Sequence, residues 1–313
     1  MRFRFPAALA GALCALSALL TPQAQALPVA TAPGCRVFPS SNPWNQRADG
    51  LPVHANSRRL IASIGADDGL HPDFGSGHWQ GAPIGIPLVT VPRSQRRVGV
   101  RFHYADESDP GPYPLPRNAP IEGGADSDGD RHVIVIDRSR CRLYELFDAH
   151  RIKDSARWRA GSGATWDLGS NQLRPKGWTS ADAAGLPILP GLVRYNEVKR
   201  GRIDHALRFT VARTRRAYVY PARHFASSDT SRDLPAMGQR LRLKAGFDIR
   251  GFPRQARIVL KALKRYGMIV ADNGSDWFIS GAPSRHWNND ALHKLGRVTG
   301  ANFKVVDARS LHP

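Results

Sequence analysis

From Arg131 onward the apolar positions fall into short runs that suit strands. His132-Val-Ile-Val-Ile-Asp137 and Arg142-Leu-Tyr-Glu-Leu-Phe147 are rich in β-formers, and the polar Arg138-Ser-Arg-Cys141 between them predicts a turn and hence a hairpin. Further strands are expected at 206–212, 217–220, 240–244, 268–271 and 277–280, the last two joined by the turn sequence Asp272-Asn-Gly-Ser-Asp276. One amphipathic helix is predicted from Pro253 to Tyr266. Val259, Ala262, Leu263 and Tyr266 recur at helical spacing, Arg254, Arg257, Lys261 and Lys264 fall on the other side, and Gly267 ends it. A shorter helix is expected over 180–184 and a helical turn over 196–199. Between 27 and 122 Pro and Gly are frequent, which reads as an extended arm with short strands at 86–92 and 98–104, wrapping a core formed downstream. Many strands and one strong helix predict a mainly β protein, a two-sheet jelly-roll or lectin-like sandwich with the helix packed outside.

The N-terminus changes the picture of where such a protein works. Met1-Arg-Phe-Arg4, an Ala- and Leu-rich stretch from Pro6 to Leu20, and Ala24-Gln25-Ala26 form the pattern of a signal peptide, with cleavage expected after Ala26. The apolar run is shorter than the ~20 residues of a permanent span. The organisation expected is therefore a signal peptide (1–26), an arm (27–122) and a β-sandwich core (123–313), with 27–313 one structural unit, secreted or periplasmic and without a membrane span after processing. Export removes Cys14 and leaves Cys35 and Cys141, which are expected to pair in an oxidising compartment. No Cys-x-x-Cys pair supports a zinc site.

Charge narrows the partners. With 45 Lys and Arg against 26 Asp and Glu, the chain carries a formal +19. This predicts attraction to an anionic polysaccharide or envelope polymer; the competing reading is a generally basic surface. Nucleic acid ranks lower, because export and the lack of a binding motif weigh against it. The sequence leaves the oligomeric state open.

Spacing sets aside several chemistries: there is no Gly-x-Ser-x-Gly, His-Glu-x-x-His or Gly-x-x-x-x-Gly-Lys sequence. Asp126-Ser-Asp128-Gly-Asp130 alternates carboxylates as a calcium loop does, although a solvated acidic turn accounts for it equally well and no other cofactor is indicated. In the hairpin, alternation puts His132 on one face of the first strand and Glu145 on one face of the second; if the register aligns them they form an acid/base pair. His205, in Arg202-Ile-Asp204-His205-Ala-Leu-Arg208, alternates with Leu207 and Phe209 toward the core. Glycoside hydrolysis needs two carboxyl groups. The candidates are Glu145 with Asp204 or Asp272, assisted by His132 or His205. Elimination on a uronate polymer is the alternative chemistry, with Arg208, Arg223 and His224 available to bind acidic sugars. Trp158, Trp166 and Trp178 lie in Gly- and Ser-rich sequence and are candidates for sugar stacking; structural tryptophans are the competing reading.

The segments Gly129-Asp-Arg-His132 through Phe147, Gly177-Trp178 through Leu192, Ile203 through Phe209 and Ala271 through Trp277 resemble those of a group of uncharacterised secreted bacterial proteins. The resemblance implies one unit from about Phe38 to Leu311 and transfers no activity. The function expected is a secreted polysaccharide-active enzyme, a glycoside hydrolase using paired carboxylates. The alternatives are a polysaccharide lyase, a noncatalytic polysaccharide-binding protein and a Glu-dependent peptidase.

Overall fold

The computed structural model describes residues 29–311. The expected signal segment lies outside them. Along the chain the elements are α1 (Ser57–Ile64), β1 (His71–Asp73), β2 (His78–Trp79), β3 (Ala82–Pro83), β4 (Leu88–Val91), β5 (Val100–Phe102), β6 (Val133–Asp137), β7 (Arg142–Phe147), β8 (His150–Arg151), β9 (Trp158–Ala160), β10 (Ser162–Asp167), α2 (Tyr195–Arg200), β11 (Leu207–Val211), β12 (Arg240–Leu243), α3 (Arg254–Arg265), β13 (Met268–Asn273), β14 (Phe278–Ser280), α4 (Asn289–His293) and β15 (Phe303–Val306). None of these helices is long and apolar enough to cross a membrane.

The chain is mainly β, with several sheets and few helices, as the pattern predicts. The strands form a six-stranded sheet in the order β1-β14-β11-β13-β12-β15, a four-stranded sheet β10-β7-β6-β4, a small sheet β5-β9-β8 and the β2–β3 ribbon. These sheets are open, and β1–β14, β11–β13, β4–β6 and β5–β9 run parallel. The pairing therefore does not establish the two-sheet jelly roll or lectin-like sandwich. The segment read as an arm supplies an edge strand to each large sheet, β1 to one and β4 to the other.

The continuous apolar run of β6 follows from burial on both faces. Ile134 and Ile136 join Leu143, Trp166 and Ile188 on one side. Val133 and Val135 join Leu146, Tyr113 and Trp158 on the other. On the large sheet, α3 buries Ala256, Val259, Leu260, Ala262 and Leu263 and leaves Lys261 and Arg265 in solvent, as its periodicity predicts. Gly267 ends it at φ +71°, where a Cβ would stand 2.1 Å from the Leu241 carbonyl oxygen.

Three local expectations change. Residues 217–220 form no strand, only a bridge between Tyr218 and Met237. Residues 180–184 form no helix: the Ser180 hydroxyl donates to the Leu186 carbonyl and accepts the Asp182 N–H, taking up groups a helix would need. The Asp272–Asp276 turn reverses the chain, yet β13 and β14 do not pair with each other, because β11 lies between them. The expected disulfide is present, joining Cys35 to Cys141 in the turn of the β6–β7 hairpin.

Candidate active site

A cleft of about 760 Å³ opens along β1, the free edge of the large sheet, and is closed by the β2–β3 ribbon, the loop from Glu122 to Asp128, and α4. Period-2 alternation turns His71 and Asp73 outward while Pro72 is buried. Four carboxyl groups line the cleft: Asp73, Glu122, Asp126 and Asp128. No lysine or arginine does; the basic lining groups are His71 and His293. His71 stacks on Phe278 at 4.0 Å, and burial lowers its pKa and favours the neutral ring. Trp79, 71% exposed, lines the same space.

Behind Asp73 the sheet carries a buried polar row. Asp73 stands opposite Ser280, whose hydroxyl accepts from Arg208 at 2.6 Å. Arg208 grips Asp182 with two nitrogens, at 2.7 and 2.8 Å, and reaches Asp272 at 3.1 Å. Burial opposes its charge, but Asp182 and Asp272 outweigh that and keep it cationic. The pKa of Asp272 is raised well above the carboxylate range, by burial first and then by Asp182.

The other wall is set by His132. The loop that delivers it is pinned by buried Arg131, at φ +53°, whose guanidinium donates to Ser127 O at 2.6 Å and Ala149 O at 3.1 Å. His132 Nδ1 meets the Glu122 carboxylate at 2.5 Å and Nε2 meets Ala181 O at 3.0 Å. Both partners are acceptors, so the geometry calls for a proton on each ring nitrogen. Burial would depress the pKa of His132; the charge of Glu122 and its hydrogen bond overcome that and push it up to about 9. Glu122 responds in the opposite sense: burial would raise its pKa, but His132 and Arg208 hold it below the ordinary value. Asp73 keeps contact with solvent, yet crowding by the cleft walls partly desolvates its carboxyl group and is the first cause that raises its pKa, the negative charge of Glu122 being the next. One cleft thus holds a carboxyl group biased toward the acid and another biased toward the anion.

The residues singled out from sequence divide sharply. His132 and Asp272 do converge, and with Asp130 they offer ligand-type atoms within 4.8 Å of one another. Both ring nitrogens of His132 and a carboxylate oxygen of Asp272 already have protein partners, so this cluster reads as a charge network. Asp126 and Asp128 line the cleft, whereas Asp130 turns toward His132 and Asp272. Glu145 does share a face with His132, since Ile134 is its register partner, but it is fully buried and its carboxylate accepts the Ile188 and Leu189 N–H groups at 2.9 Å. Burial, only partly offset by those amides, raises its pKa to about 7.

Asp204 pairs with Arg202 at 2.8 Å. His205 is buried between Glu197, at 3.2 Å, and Ala206 O, at 2.8 Å, far in sequence and role from Glu145. Neither lines the cleft. Trp158 and Trp166 are core residues, 2% and 5% exposed. Trp178 is half-buried and, with Trp166, flanks the Arg174 guanidinium at 5.4 and 5.8 Å. Arg223 donates to Arg174 O at 2.9 Å, and His224 Nδ1 meets Ala183 O at 2.7 Å. None of these five lines the cleft. Asp73, Glu122, His71 and Trp79 were not legible as site residues. The available signal was acid density, with Glu122, Asp126, Asp128 and Asp130 close together in an otherwise basic chain.

The chain matches no family model, no curated protein and no solved structure.

Proposed function

We propose that the chain is an exported glycoside hydrolase, released by cleavage after Ala26, in which Asp73 is the general acid and Glu122 the nucleophile or base. The observation that carries this reading is the split between two carboxyl groups on one cleft, the arrangement that glycosidic bond cleavage requires. Protonated Asp73 would donate to the departing glycosidic oxygen. Ionised Glu122, held by His132, would attack the anomeric carbon or take a proton from the attacking water. Trp79 offers the flat apolar surface on which a sugar ring stacks.

Lyase chemistry has less support, because neutralising a uronate calls for a cation and no lysine or arginine lines this cleft. A peptidase centred on Glu145 loses its geometric basis with the burial of that residue. The exposed Trp79 also suits a noncatalytic binding protein, and the same experiment separates the two.

Reducing-end release is measured over a panel of neutral, amino and acidic polysaccharides. Asp73→Asn and Glu122→Gln should each lower the rate by ~10²–10⁴-fold, as expected for loss of one acid or base group. Asp73→Asn should melt normally, whereas Glu122→Gln, which takes the anionic partner from buried His132, should melt lower while staying folded at the assay temperature. Glu145→Gln and Asp204→Asn should keep most of the activity. Unchanged rates in the Asp73 and Glu122 variants, on a polymer the wild type degrades, would refute the assignment. Binding that depends on Trp79, without cleavage of any polymer, would favour the noncatalytic reading.

A further inference from the structure

The positive charge that is missing from the cleft has an organised site elsewhere. On β5 and β9, alternation sends Val100, Phe102, Trp158 and Ala160 into the core beside the four-stranded sheet. It sends Arg101 and Arg159 to the opposite, exposed face. The register sets Arg101 directly opposite Arg159, and Arg159 directly opposite His150 on β8. His150 has a partner in Asp148, at 2.6 Å. Neither arginine stands in an ion pair among the described residues, and the β8–β9 turn adds exposed Lys153 and Arg157 around a single acid, Asp154. Like charges directly opposed on a sheet repel, so this row is unfavourable unless something outside the chain neutralises it.

Beside the row lies a shallow groove of about 510 Å³ in which Arg101, His103 and Arg159 stand around the exposed side chain of Ile152; the one carboxylate in its lining, Asp148, is taken up by His150. Guanidinium groups fork onto carboxylates. Neighbouring strands stand ~4.8 Å apart, on the order of the length of one sugar residue. Ile152 gives the groove a small apolar patch beside the two cations, which suits a pyranose ring carrying acid groups. Among the described residues no run of exposed aromatic rings lines this groove for stacking bases, which argues against nucleic acid.

We propose that the exposed face of the β5-β9-β8 sheet docks an anionic polysaccharide bearing a carboxylate on successive sugars, with Arg101 and Arg159 as its two anchors. The surface is separate from the cleft, and the proposal does not depend on the hydrolase reading.

The test uses the full processed chain and immobilised polygalacturonate as the probe. Arg101→Ala/Arg159→Ala should weaken binding at least tenfold, whereas Lys261→Ala/Arg265→Ala, which removes the same charge from the solvent face of α3, should change it less than twofold. Relief of the repulsion should leave the melting temperature of the first variant unchanged or raised. Equal weakening by both double variants would show that net charge alone is read and would overturn the proposal. So would a marked fall in the melting temperature of the Arg101/Arg159 variant, or binding of duplex DNA or polyphosphate as tight as that of polygalacturonate at the same salt.

Discussion

His132 illustrates how one side chain can set the charge state of a neighbouring group. Its pKa in the fold lies above its ordinary value of 6.5, at about 9. The stabilisation it gives is therefore complete below pH 6.5 and is lost as pH rises through about 9. A shift of that size corresponds to roughly 3 kcal/mol. Melting temperatures measured across this window should fall for the wild type and stay flatter for His132→Gln. A wild-type curve as flat as that of the variant would show that the imidazolium is not what holds Glu122. His132, Arg208 and Asp272 were legible as chemically notable because each sits in or beside a strong β pattern. Asp73 was not, since its significance comes from standing opposite Ser280, more than two hundred positions away in sequence.

The legibility of the elements followed their periodicity. The β6–β7 hairpin and α3 come from local patterns with burial to match, and both form where expected. What the pattern could not carry was the partner of each strand: β11 inserts between β13 and β14, and the two-residue strands of the arm are too short to show alternation. Side-chain competition for backbone groups, as at Ser180 and Asp182, likewise cancels a local helical tendency. The end of α3 offers a direct test of local backbone control. Gly267→Ala places a Cβ against the Leu241 carbonyl at a left-handed φ, and should lower unfolding stability by more than about 1 kcal/mol in urea denaturation. A neutral substitution would mean that the β12–β13 neighbourhood yields easily.

Across the whole molecule, charge and chemistry are spatially divided: an acidic cleft at the edge of one sheet, and a cationic row on the face of another. The strong positive charge of the sequence therefore describes a surface and says little about the substrate of the cleft. The Cys35–Cys141 bridge acts at the same scale, closing a loop with a sequence separation of 106. Loss of such a constraint should cost about 2–5 kcal/mol, measurable by denaturing the Cys35→Ser/Cys141→Ser variant beside the oxidised protein. Equal stability of the two would assign the work of holding the arm to its packing alone. Asp73 and Glu122 both lie within the closed loop, whereas Arg208 and Asp272 lie outside it. A protease that cuts the backbone once between the two cysteines therefore cannot free either proposed catalytic carboxyl group from the rest of the chain. The nicked molecule stays one covalent piece until it is reduced, so a single cut that leaves the packing intact detaches no part of the proposed site.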